Sequence, residues 1–318
     1  LNGLHLEQYR HATYDPLSYY QEAIRREPAD IRSNNAMGAW FLRRAQPTQA
    51  EPFLRQAVKS LQLRNPNPYD GEPLYNLGLC LKMLGRDAEA FDAFYKSTWN
   101  DAWQHNGFLQ LARLACKSDF EEGLDLINKS LNRNYTSPAA RHLKAAILRK
   151  LERMEEAKVL IAESLEMDPF NLGVLFEQAL VAIAGNTTTA NNRATADLVR
   201  VEAIFHQSAH PVRNAFNNYA EYALDYAEAG MFDEAHALLT MYKPLKPEPL
   251  LNYYLGWFCL NGSSPDKAQK YFDKAAAAPA DYCFPSKVEE VRILRAAGRA
   301  GCPGSLLPGQ LLVRKWKL

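Results

Sequence analysis

The residues that could do chemistry form a few small groups. His206 and His210 are four apart, a spacing that on a helix sets two imidazoles on one face like metal ligands. No third ligand accompanies them, and Pro211 ends such a helix directly after His210, so the pair reads as structural or solvent-exposed and no metal is expected. The five cysteines, at 80, 116, 259, 283 and 302, are odd in number and never fall as Cys-x-x-Cys, which excludes a zinc knuckle and a fully paired disulfide framework. Cys80 and Cys259 sit in apolar helical stretches as small buried hydrophobes rather than nucleophiles. Trp99 and Trp103, beside Asn100, Asp101, Gln104 and His105, could stack on a sugar or a peptide, but the preferred reading is that both fill a junction between structural units. Neither a glycine-rich phosphate loop nor a hydrolase elbow or His-Glu-x-x-His occurs, so no cofactor is expected.

Composition narrows the classes further. The 318 residues carry 37 Lys and Arg against 36 Asp and Glu, which is neither a nucleic-acid-binding polycation nor an acidic tail. With 47% hydrophobic residues the chain can bury a sizeable core. The apolar run from Val174 to Ala184 contains Glu177 and Gln178 and stops short of the ~20 residues that span a bilayer, so no membrane is expected. Cysteine usage suits a reducing compartment, giving a cytoplasmic expectation. The chain begins at Leu1 with neither methionine nor a leader, which reads as part of a longer polypeptide.

The elements that must carry these residues are set by an internal repeat. A small or linker residue, a large apolar residue four later and a small residue three later recur as Pro16/Tyr20/Ala23, Ala50/Leu54/Ala57, Ala90/Phe94/Ser97, Gly123/Ile127/Ser130, Ala157/Ile161/Ser164, Val201/Phe205/Ser208, Ala235/Leu239/Tyr242 and Ala268/Phe272/Ala275. Successive large residues lie 34, 40, 33, 34, 44, 34 and 33 apart, and insertions at 65–70 and 185–194 account for the two long intervals. A second column confirms the period: Gly38, Gly78, Ala145, Ala223 and Gly256 each precede their large residue by 16 positions. Two antiparallel helices approach closely only where one lacks a bulky side chain and the other fills the space. Pro28, Pro169 and Pro279 are expected to follow second helices, Gly85 and Gly230 to occupy tight turns, and Ser264 with Pro265 to start a helix.

These columns resemble the tetratricopeptide repeat, most clearly in Leu74 to Ser97 and Asn252 to Ala275, with units four to six degenerate because Arg141 and Lys144 stand where apolar residues are usual. The phrases 7–16, 65–73 and 94–103 resemble the C-terminal repeat region of large bacterial multidomain proteins whose N-terminal part is β-rich and carbohydrate-related. The resemblance implies an all-α, right-handed superhelical solenoid of about eight hairpins over 12–285, with a lead-in at 1–11, a capping helix at 286–300 and an irregular tail at 301–318. The tail has three glycines and two prolines within 301–310, and a one-base frame shift near Gly301 would instead spell a repeat start.

In such a solenoid the first helix of each hairpin lines a concave groove. Groove positions are Asn35, Arg43, Tyr75, Lys82, Arg113, Lys117, His142 and Arg149, then Tyr253 and Trp257 as an aromatic wall. Basic side chains in a concavity suit carboxylates. The expectation is therefore a non-catalytic scaffold that binds an extended acidic peptide or a neighbouring domain of its own polypeptide. The alternative is an α/α-toroid carbohydrate-active enzyme, or an accessory subunit of one, which would need two facing carboxylates.

Overall fold

The computed structural model describes residues 2–9, 14–63, 65–184, 215–279 and 285–299. His206, His210, Cys283, Cys302, the insertion at 185–194, the Val201/Phe205/Ser208 column and the tail at 301–318 lie outside them. Two compact bodies, Leu1–Leu111 and Ala112–Leu318, divide the chain at a place where the sequence reading drew no boundary. Among the described residues every regular element is helical.

The helices pair in chain order as α1 Asn2–Gln8 with α2 Pro16–Arg26, α3 Ile31–Leu42 with α4 Pro47–Gln62, α5 Glu72–Met83 with α6 Asp87–Ser97, and, after α7 Gln104–Ala115 and α8 Phe120–Leu131, α9 Pro138–Lys150 with α10 Met154–Met167. Helix α11 Leu172–Ala184 packs on α9 and α10, and the described residues continue with α12 Phe216–Glu228 paired with α13 Phe232–Thr240 and α14 Pro249–Asn261 paired with α15 Ala268–Ala277. Helix α16 Val288–Arg299 packs on α14. This is an all-α helical repeat solenoid.

The small and large columns meet as the repeat demands. A Cβ added to Gly78 would lie 2.6 Å from the ring of Phe94, and one added to Gly256 would lie 2.5 Å from Phe272. Leu54 meets Gly38 in the same way, at 2.4 Å, and Ile127, Ile161 and Leu239 of the same column are buried as well. Removing each such side chain from water contributes about 1.5–3 kcal/mol.

Local signals set the helix ends. The side chains of Asp15, Asp30, Asp119, Ser137 and Asn171 accept from backbone N–H groups of the first turns they cap. The prolines at 28, 169 and 279 fall two residues past the ends of α2, α10 and α15. Gly85 and Gly230 turn their hairpins at φ 77° and 80°. Ala45 and Glu152 hold the same position in hairpins two and five at φ 53° and 59°, a left-handed conformation that a side chain opposes. All four turns close identically: the N–H of Gln46, Arg86, Arg153 and Met231 reaches the carbonyl five residues back, at 3.0, 2.9, 2.9 and 2.9 Å. Ser264 precedes a short 3-10 turn at Pro265–Lys267 but gives no side-chain cap; the neighbouring Ser263 instead donates from N–H and hydroxyl to Asp233 at 3.0 and 2.9 Å.

Gly78→Ala is expected to destabilise the chain by about 1–3 kcal/mol, because the hairpin must open to admit the methyl group. Gly298→Ala, in helix α16 with nothing within 4 Å of the added atom, should be neutral or stabilise by about 0.5–1 kcal/mol. Urea unfolding of both variants checks the pair of signs.

Candidate functional site

Three successive first helices of the amino-terminal body bring polar side chains to one face. Asn76 on α5 donates to Asn35 Oδ1 on α3 at 2.9 Å, and Lys82 donates to Gln110 Oε1 on α7 at 2.8 Å. Arg43 follows α3 and pairs with Glu7 of α1 while its side chain stays 52% exposed. Tyr75 stacks between Phe94 and Trp103, with ring centroids 5.4 and 4.9 Å away. The structure thus brings Asn35, Arg43, Tyr75 and Lys82 onto the first helices of one body and adds Asn76 and Gln110, which the sequence reading missed.

The carboxy-terminal body treats its inner face differently. Helix α12 packs against α9 and α11, so side chains read as groove-lining meet another helix. Arg113 donates to Asp225 of α12 at 2.5 Å. His142 lies edge-on to Tyr222 and Tyr226, with centroids 5.3 and 4.4 Å away, and its Nδ1 is 3.9 Å from the other Asp225 oxygen. Two turns along α9, Arg149 donates to both Glu177 oxygens at 2.7 and 3.1 Å and to Glu234 at 3.3 Å. Tyr226 donates to Glu177 at 2.5 Å, and Lys150 pairs with Glu234. Arg113 and Arg149 are therefore corrected from groove cations to members of a largely buried ion-pair cluster. Lys117 stays exposed, beside Gly230 in the turn of hairpin seven.

Electrostatics follow this packing. Burial opposes the charge on Arg149, but Glu177, with Tyr226 and Glu234 beside it, together outweigh burial and hold the guanidinium charged. Burial alone would raise Asp225; the Arg113 guanidinium and His142 together reverse this and leave the carboxyl below its ordinary value. Glu234 is likewise pushed up by burial and pulled below its ordinary value by Arg149 and Lys150. Burial, then Glu177, drives the Tyr226 phenol well up.

The aromatic wall is a second correction. Tyr253 and Trp257 are buried, Trp257 against Phe232 at 5.5 Å and beneath Arg292 of α16 at 5.3 Å. Helix α16 reaches α14 through Arg292 over Trp257 and through Glu290, which accepts from the Tyr254 hydroxyl at 3.0 Å. Of the tryptophan pair, Trp103 fills a junction against Tyr75, whereas Trp99 is exposed, so the expectation that both are packed holds only for Trp103. Burial pushes the Cys80 and Cys116 thiols up to about 12, which leaves no thiolate for nucleophilic work. Among the described residues no helix is long and apolar enough to cross a membrane.

Residues 138–171, which hold α9 and α10, match the tetratricopeptide repeat family model. The tetratricopeptide repeat is thus matched by that one hairpin. The C-terminal part of a TPR repeat-containing protein from Cytophaga hutchinsonii shares the fold at a TM-score of 0.50 and 12% identity, over 88% of this chain and 93% of that one. A tetratricopeptide repeat protein from Parabacteroides merdae is similar at 18% identity and a TM-score of 0.47, over 88% of this chain and 98% of its own. YrrB, a TPR protein with an unusual peptide-binding site, is similar at 17% identity and a TM-score of 0.46, over 60% of this chain and 96% of its own. The tetratricopeptide match falls on the hairpin that the sequence reading called degenerate. Arg141 is accommodated there by Ser164 at 2.7 Å, Glu163 at 3.1 Å and the Tyr135 ring at 4.6 Å.

Arg149→Met should cost about 3–5 kcal/mol, since it strands a buried Glu177 carboxylate, and Arg149→Met with Glu177→Met should recover most of that loss. Urea unfolding of the two variants measures it. Because the folded pKa values of Asp225 and Glu234 are depressed, their contribution is complete at neutral pH and is lost as pH falls below about 4. The thermal midpoint should drop over that window, and less steeply in Asp225→Asn with Glu234→Gln.

Proposed function

We propose that this chain is a non-catalytic interaction scaffold that takes an extended, carboxylate-bearing peptide along the first helices of its amino-terminal body. The observation that carries the reading is the alignment of Asn35 with Asn76 and of Lys82 with Gln110 across successive first helices. Side-chain amides offer a donor and an acceptor to a peptide backbone. Lys82 donates to the Gln110 amide, and Arg43 already holds the carboxylate of Glu7, so a partner's carboxylate would exchange with a group of the same kind at Arg43.

The non-catalytic part rests on the carboxylates themselves. Glu177 and Glu234 both accept from Arg149, so these two carboxylates serve an ion-pair cluster. The inner face of the carboxy-terminal body spends Arg113 and Arg149 on its own carboxylates, so the proposed groove does not use them.

Arrayed acidic decapeptides are the test. Peptides retained by the wild-type chain should bind more weakly as salt rises and should bind about tenfold or more weakly to Arg43→Glu with Lys82→Glu, at unchanged helical content. Lys158→Glu, an exposed change on α10, should leave binding intact. Undiminished binding by the double variant would overturn the groove reading.

A further inference from the structure

Helix α1 is held differently from the first helices that follow it. Gly3 is its one buried residue, whereas α3 buries seven and α5 six. Leu4 is 38% exposed, and no apolar side chain of α1 is fully buried. A helix of seven residues with so little apolar contact opens at low cost.

Its hold on the body runs through one glycine and one carboxylate. A Cβ at Gly3 would lie 2.6 Å from the Tyr20 ring, so the backbone of α1 sits directly on that ring. Glu7 accepts from the Tyr20 hydroxyl at 2.8 Å through one oxygen and from Arg43 through the other. Tyr20 keeps its place without α1, because it belongs to a buried cluster with Ala36 and Met37 of α3. What α1 adds is therefore chiefly the Glu7 carboxylate, set on a groove cation whose side chain stays half-exposed.

We propose that α1 is a latch on the groove: Glu7 occupies the place of a partner's carboxylate at Arg43, and an acidic peptide binds there by displacing it and undocking α1. The latch presupposes the groove proposed above and adds that its Arg43 end is closed in the free chain. Tethered to the same chain, Glu7 competes at a high effective concentration. Peptide affinity is accordingly lowered by the factor by which docked α1 outweighs undocked α1, and weakening the Glu7 contact restores it.

The experiment runs the acidic decapeptide array on the full chain with and without Glu7→Gln, an exchange that keeps the shape of the side chain and removes its charge. Glu7→Gln should bind the retained peptides about fivefold or more tightly than the wild type. Tyr20→Phe, which removes the other hold on Glu7 and leaves Arg43 untouched, should also bind more tightly. Glu22→Gln, the same charge change on α2 where Glu22 pairs with Arg25 and Arg26, should leave affinity unchanged. Millisecond hydrogen exchange over residues 6–9 reads the undocking directly: it should speed up when peptide saturates the wild type, and should already be faster in free Glu7→Gln. Binding that Arg43→Glu with Lys82→Glu abolishes but Glu7→Gln leaves unchanged would overturn the latch and keep the groove. An equal gain from Glu22→Gln, or residues 6–9 as protected with peptide as without, would do the same. No binding by either the wild type or Glu7→Gln would remove both.

Discussion

Two helices of one hairpin can lie side by side only if a large side chain on one meets a bare stretch of backbone on the other. Gly78 against Phe94 and Gly256 against Phe272 state that constraint at its tightest. Once it is met, the register of each pair is fixed, because sliding either helix by a residue puts a Cβ where a ring must go. The register in turn fixes where the turn falls, which explains why Ala45 and Glu152 accept a left-handed backbone that glycine supplies in the sister hairpins. It also fixes which residues of α3 and α5 look toward neighbouring repeats, and so places Asn35, Asn76 and Lys82.

Hairpins were legible in the sequence because spacing alone encodes them: a small residue and a large one must meet, and the interval between them is set by helix geometry. The use of the inner face was less legible. A cation at a first-helix position has the same sequence context whether it faces solvent or a helix that arrives from three hairpins away. Arg113 and Arg149 look like Arg43 in the chain, yet their partners Asp225 and Glu234 are 112 and 85 residues distant. One signal was present. Glu177 interrupts the apolar run from Val174 to Ala184, and a lone carboxylate in such a run requires a buried cation. Tyr253 and Trp257 were misplaced for the opposite reason: α14 is apolar all round, so no face of it can be singled out as exposed.

The two bodies solve the same polar problem in different ways. In the amino-terminal body Asn35 pairs with the Asn76 amide, Lys82 donates to the Gln110 amide, and Arg43 just past α3 holds Glu7 while its own side chain stays half-exposed. In the carboxy-terminal body Arg149 and Glu177 are buried, and charge removed from water in this way is held by geometry rather than by affinity. Such a cluster supplies specificity of packing and leaves little for a partner.

The bonds from Arg113 to Asp225 and from Arg149 to Glu234 have a further consequence for how this body could have been inherited. Repeat arrays usually behave as a row of neighbours, and a unit can be duplicated or lost at the cost of one junction. These bonds skip intervening hairpins, so excising one would separate charges that belong to others. Between these helices the nearest-neighbour description of a repeat array no longer holds, since each bond couples units that are not adjacent.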